Sequence, residues 1–306
     1  MQPSATPTMA TVLITGTSKG IGLATALAFA RAGHKVVATM RNPGAAPELA
    51  NATANGKLPI TILEMNVDSD TSVSDAFAQI KKKIGPIDVL VNNAGIEGLG
   101  SVEELPINGF RAVMETNYFG AIRCIQAVLP AMRQSGSGCI INISSVAGRI
   151  ASASMSPYSA SKFALESLSE ILAQEVKAVG VRVAIVEPGI IDTPMAQHIT
   201  FAPNTSSYSH QRRLAALFTE SLKHPVSPSL VADKILEIAT NGTWQLRHPV
   251  GPDALPFIGW RQSMNDEAWV DLAALSDEAW CDRIEKDFGM DVRAAMLAPT
   301  PTSYSG

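Results

Sequence analysis

The sequence predicts an α/β fold, a doubly wound parallel sheet in a single domain with a carboxyl-terminal extension, on three observations. Its strand-like runs are short, β-branched and apolar throughout, as in strands covered on both faces. Longer segments of helical period separate those runs, so successive strands are joined by crossovers and lie parallel. The chain has 306 residues, 46% hydrophobic and only 17% charged, enough core for one large domain and an appendage.

In chain order, strands are expected at residues 11–15, 35–39, 59–65, 87–91, 139–143 and 182–186, with a last one at 244–250. Helices are expected at 21–32, 72–83, 109–132 and 157–179. Residues 1–10 read as a disordered arm and 11–250 as the domain proper. Within it, 190–228 reads as a mobile insertion over a site, with a helical stretch at 211–223. A helix at 229–240 is framed by Pro228 and by Asn241-Gly242. Residues 251–306 form an extension rich in Trp and Asp, whose tail, 298–306, is expected to be disordered. In a doubly wound sheet ligands bind at the carboxyl ends of the strands, so chemistry belongs in the turns that follow them.

Charge and composition exclude several classes. A net charge of −4 without a basic block argues against nucleic-acid or anionic-membrane surfaces, which need a concentrated positive field. No run of about 18 apolar residues offers a membrane span. The first ten residues carry no targeting pattern. Cys124, Cys139 and Cys281 are an odd count without metal-like spacing, which points to reduced thiols that fill space, to a cytoplasmic location and to no metal site. The expected partner is a small molecule.

The first strand runs into Thr15-Gly16-Thr17-Ser18-Lys19-Gly20-Ile21-Gly22 and then a helix. Glycine there permits a tight turn and close approach of backbone N–H groups to a pyrophosphate, aided by the positive helix N-terminus. Asn92-Asn93-Ala94-Gly95 follows the fourth strand, and Ser145 precedes Tyr158 and Lys162, which stand at i and i+4 on one helix face. A neighbouring ammonium and a cationic nicotinamide would favour the Tyr158 phenolate, suiting it to acid/base catalysis. Ser145 supplies a hydroxyl to orient a substrate oxygen.

These motifs, in this order, resemble those of the short-chain dehydrogenase/reductase family, a Rossmann fold. The resemblance covers residues 11–193 and includes Asn117, Tyr158-Ser159-Ala160-Ser161-Lys162, Pro188-Gly189 and Thr193. It implies a catalytic tetrad of Asn117, Ser145, Tyr158 and Lys162. Tyr158 is then the acid/base, Ser145 the carbonyl polariser, and Lys162 the pKa-lowering charge and ribose holder. Asn117 holds a water that links Lys162 to solvent. The same resemblance implies cofactor contacts at Gly16, Ser18, Lys19, Gly20, Ile21, Gly22, Val67, Asn93, Ala94 and Gly95, with Pro188, Gly189, Ile191 and Thr193 around the nicotinamide. Where many relatives carry Asp, this chain has Asn66, so the adenine contact falls to Asn66 or Asp68. Helices 109–132 and 157–179 are apolar enough for the family's dimer contact, which implies a homodimer or homotetramer.

The second strand ends Thr39-Met40-Arg41-Asn42, without the acidic residue that an NAD site needs for the adenosine ribose. Arg41 and Lys19 together offer two cations to a 2′-phosphate, which favours NADP(H) over NAD(H). The stretch from Tyr158 to Glu175, with Arg41 and residues 188–193, is similar to the branch that contains steroid and retinol dehydrogenases. That implies a bulky, apolar ketone, aldehyde or secondary alcohol. A pocket is expected at 96–99, 150–155 and 195–201, with Ile96, Ile150, Met155 and Met195 beside Ser145 and Tyr158. Trp260 and Trp269 read as a packed or subunit-covering helix, or as a lid on that pocket. His198, His210 and His224 lack metal-like spacing. Two other readings use the same residues: an epimerase or dehydratase that retains its dinucleotide, and a non-catalytic NADP-sensing module.

Overall fold

Seven parallel strands form one sheet in the order β3-β2-β1-β4-β5-β6-β7 in a computed structural model that describes residues 9–56, 58–201 and 206–298. The strands are β1 (Thr11–Thr15), β2 (Lys35–Met40), β3 (Ile60–Glu64), β4 (Val89–Asn92), β5 (Gly138–Ile143), β6 (Val181–Pro188) and β7 (Arg247–Val250). Side chains alternate across the sheet, each set meeting a helical layer. Val12, Ile14, Val36, Ala38, Val89 and Val91 face α1 (Gly20–Arg31) and α9 (Pro228–Thr240). Leu13, Val37, Leu90 and Ile140 face α3 (Asp70–Lys83), α5 (Gly120–Ser135) and α6 (Ser156–Val176). Burial on both faces is why the strands read as continuous apolar runs. The order reverses between β1 and β4, and a crevice opens at their carboxyl ends.

Local chemistry explains several boundaries. Ser69 caps α3 by accepting from Ser72 N at 3.2 Å. Gly136, in the left-handed region at φ 67°, ends α5. The buried Arg182 guanidinium donates to the carbonyls of Ile238 and Ala239 at 2.8 and 2.9 Å, satisfying the carboxyl end of α9.

The structure differs from the sequence reading at several points. The helix expected at 109–132 is two helices, α4 (Ile107–Met114) and α5, joined by a π turn at Glu115–Phe119. An unexpected helix, α2 (Pro47–Gly56), lies between β2 and β3. The last strand is shorter than 244–250, starting only at Arg247. Within 190–228 the helix expected at 211–223 is α8 (His210–Ser221), and an unexpected short helix, α7 (Pro194–Ile199), precedes it. Ala10, within the stretch expected as an arm, is buried, and its N–H donates to His34 Nδ1 at 3.1 Å. Residues 1–8 and 299–306, on which the two expectations of disorder largely fall, lie outside the described residues.

The extension contributes α10 (Ala254–Gln262), α11 (Asp266–Ala274), α12 (Asp277–Phe288) and α13 (Arg293–Leu297). Trp280, Cys281, Ile284, Val292 and Met296 pack with Ala216 of α8 into a separate small core. Among the described residues, no helix is long and apolar enough to cross a membrane, and no group of His, Cys, Asp or Glu could hold a metal. Cys124, Cys139 and Cys281 are buried free thiols.

Candidate active site

A cleft of about 630 Å³ follows the carboxyl ends of the strands. Gly16, Ser18, Lys19, Gly20, Ile21 and Gly22 line one end of it. Gly16 sits at φ 70°, and a Cβ on Gly22 would lie 2.2 Å from Gly16 O. The turn is therefore as tight as only glycine permits, and it exposes backbone rather than side chains. Lys19 is the N-cap of α1 but makes no side-chain capping bond, so the first-turn N–H groups remain available to an anion. Asn93 buttresses the turn from behind: its Nδ2 donates to Thr15 O at 2.8 Å and Gly16 O at 3.0 Å. Thr15 Oγ1 accepts from the N–H groups of Asn93 and Ala94 at 3.0 and 2.9 Å. This glycine cradle fits a pyrophosphate.

Beyond the turn, Arg41, Asn66, Val67 and Asp68 line the same end. Asn66 is committed locally, its Oδ1 accepting from Asp68 N at 3.2 Å and its N–H donating to Ser72 Oγ at 2.9 Å. Asp68 Oδ1 is buried without a partner among the described residues. A buried free acceptor next to the cradle is what a ligand donor would satisfy.

Tyr158 and Lys162 lie on α6, and Ser145 opens the short 3₁₀ turn Val146–Gly148 after β5. Ser145 Oγ accepts from Ala147 N at 3.1 Å, which fixes its rotamer. Lys162 is buried, and its Nζ donates to Ile143 O at 2.8 Å. Burial brings this ammonium down to about 8, opposed by the nearby Glu166 carboxylate. Burial pushes the Tyr158 phenol up to about 12, against the pull of its hydrogen bond to Ser145. The sequence suggested a phenol favoured toward its anion. In the protein alone burial, helped by the Glu97 carboxylate, outweighs the Ser145 hydrogen bond, and the phenol is held protonated.

Asn117 stands behind the cleft, in the π turn. Its Oδ1 accepts from Ile96 N at 2.8 Å, while Nδ2 donates to Ile96 O and Ser161 Oγ, each at 3.0 Å. The side chain thus ties the turn after β4 to α6. Ser161 Oγ in turn donates to Tyr158 O at 2.7 Å.

Pro188, Gly189, Ile191 and Thr193 also line the cleft, and Thr193 lies close against Gly20 of the glycine turn. Thr193 caps α7, accepting from Ala196 N at 3.2 Å. Ile96, Ile150, Met155 and Met195 line its far end. There the structure adds residues that the sequence reading did not assign: Leu214, Leu217 and Phe218 of α8, and Phe257 of α10. Trp260 and Trp269 also line the cleft, and Trp260 packs at the same time against the small core of the extension, as the packed-helix reading expects. The two rings meet edge to face at 5.2 Å, and Trp269 Nε1 donates to Ala151 O at 2.9 Å. The spacing of Phe257 and Trp260 on one helix face was the available signal. His198 reaches the rim, 2.8 Å from Glu97. His210 and His224 are not among the residues that line the cleft.

The family model for short chain dehydrogenases matches residues 10–203. The oxidoreductase BOA17 of Botryotinia fuckeliana is 36% identical over 271 residues, covering 86% of this chain and 97% of that protein. Retinol dehydrogenase 8 of Bos taurus is 35% identical over 264 residues, covering 81% of this chain and 83% of that protein. A crystal structure of a short-chain dehydrogenase from Streptomyces avermitilis superposes with a TM-score of 0.73 at 31% identity, covering 94% of this chain and 99% of that one.

Proposed function

Since the chain belongs to the short-chain dehydrogenase/reductase family, on its retinol/steroid dehydrogenase-like side, and is an oxidoreductase, we propose that it moves hydride between NADP(H) and a bulky, apolar carbonyl or alcohol. One observation carries the reading. Tyr158, Lys162 and Ser145 line one cleft together with the glycine turn and with apolar and aromatic residues of α8, α10 and α11.

The bound dinucleotide supplies or accepts the hydride at its nicotinamide carbon. In reduction, the protonated Tyr158 phenol donates to the substrate oxygen, and Ser145 accepts or donates beside it to orient the carbonyl. Lys162 places positive charge near the phenol, favouring the anion that proton donation leaves, and holds the ribose. Asn117 positions α6 against the turn after β4. Pro188, Gly189, Ile191 and Thr193, which line the cleft, would hold the nicotinamide. The adenine contact falls to Asp68, whose free buried oxygen supports that choice over the committed Asn66.

NADP(H) is preferred because Lys19 and Arg41 line the cleft with no acidic residue ending β2. Neither side chain has an ion-pair partner among the described residues. Exposed Phe119, Phe163 and Ile171, on and beside α5 and α6, support a homo-oligomer, and three buried free thiols suit a reducing cytoplasm. The test is NADPH consumption with a panel of bulky ketones. Wild type should turn over, and Tyr158→Phe should lose roughly 10²-fold or more in kcat. Undiminished turnover would remove the assigned role.

A further inference from the structure

We infer that Asp253, in the carboxyl-terminal extension, is a positioning residue that clamps the Pro188-Gly189-Ile190 turn and couples it to the substrate wall. The inference rests on the dinucleotide reading above. Asp253 is the N-cap of α10, yet its side chain makes no capping bond to its own helix. Instead Oδ2 accepts from Ile190 N at 2.7 Å.

The surroundings are shaped for this contact. Gly189 N donates to Val250 O at 2.9 Å, pinning the residue before Ile190 to the last strand. A Cβ on Gly189 would lie 2.0 Å from Asp253 Oδ1, so only glycine admits the carboxylate there. Gly251, at φ 111°, provides the reversed backbone that brings Asp253 back over the turn. Oδ1 is buried without a partner among the described residues. A cap that served α10 alone would not leave a carboxylate oxygen stranded in this way, because desolvation without a partner is costly.

The coupling follows from the helix that Asp253 begins. One and two turns further along α10 are Phe257 and Trp260, which line the apolar end of the cleft. A shift of the Ile190 N–H is thus transmitted to the substrate wall through a single rigid element.

The experiment compares wild type with Asp253→Ala, Asp253→Asn and Gly189→Ala. It measures binding of NADPH, binding of an adenosine 2′-phosphate fragment, and kcat and KM for a bulky ketone. Asp253→Ala is expected to weaken NADPH about tenfold or more, leave the fragment unchanged and raise ketone KM. Asp253→Asn, which keeps an acceptor for Ile190 N, should recover most of the loss. Gly189→Ala should reproduce the Ala phenotype from the opposite side, with a double variant no worse than either alone. Equal weakening of NADPH and fragment, or no change in either, overturns the inference. Wild type that binds neither molecule overturns the dinucleotide reading and this one with it.

Discussion

The Lys162 ammonium stands 5.5 Å from the centre of the Tyr158 ring, one helical turn along α6. The pair divides the pH range between two jobs. Tyr158, pushed up to about 12, stays protonated at neutral pH, whereas Lys162, brought down to about 8, loses its charge just above it. Carbonyl reduction is therefore expected to fall as pH rises through about 8, with the slope of a single deprotonation. A pH profile of kcat for ketone reduction checks this, and a flat profile to pH 10 would count against it.

Burying Lys162 also opposes folding. Between about 8 and its ordinary 10.5, the unfolded chain binds more protons than the folded one, so the ligand-free protein should gain stability as pH rises across that window. Lys162→Met removes the buried charge. We expect it to abolish turnover while raising stability by roughly 1–3 kcal/mol, read from denaturant midpoints at pH 7.

For the dinucleotide preference, Lys19→Ala combined with Arg41→Asp should weaken NADPH by on the order of 100-fold and leave NADH equal or tighter. Fluorescence titration with each dinucleotide reads the ratio. Unchanged NADPH affinity would refute the charge argument.

Gly22→Ala probes the cradle. The added methyl would sit 2.2 Å from Gly16 O and 2.4 Å from Asn93 Nδ2, so the turn must open and the Asn93 buttress must move. Dinucleotide binding should be lost, with a stability decrease of roughly 1–3 kcal/mol from overpacking, measured by titration and by urea unfolding.

At the aromatic wall, Trp269→Phe keeps the ring but removes the donor to Ala151 O, and Trp260→Ala removes the wall itself. The first should raise KM for bulky ketones a few-fold and the second about tenfold, while kcat for a small ketone changes little. Steady-state kinetics with paired substrates checks both.

The central strands were legible because they are buried on both faces, and the glycine turn, Asn93 and Ser145 because each follows a strand end, while Tyr158 and Lys162 showed through their helical i, i+4 spacing. The helix at Pro47–Gly56 was not, since its proline, asparagines and glycine imitate a loop and Leu49 is its one large fully buried side chain. The π turn at Glu115–Phe119 escaped because it leaves the apolar period of the flanking helices intact. The reading of the Tyr158 phenol from the neighbouring ammonium and a cationic nicotinamide leaves out burial, which dominates in the protein alone and is a property of packing that no local spacing reports. Asp253 escaped for a related reason: its partner, Ile190, is 63 residues away.

The division of the cleft bears on how such a protein can diversify. The residues proposed to grip the dinucleotide and move the proton lie before Pro194, whereas Leu214, Phe218, Phe257, Trp260 and Trp269, which also line the cleft, come from later stretches. The aromatic part of the apolar lining is thus carried on a later tract of the gene than Ser145, Tyr158 and Lys162, while Ile96, Ile150 and Met155 of the same lining come from the earlier one. Recombination or drift confined to the later tract can retarget the enzyme while its redox chemistry passes unchanged to the descendant.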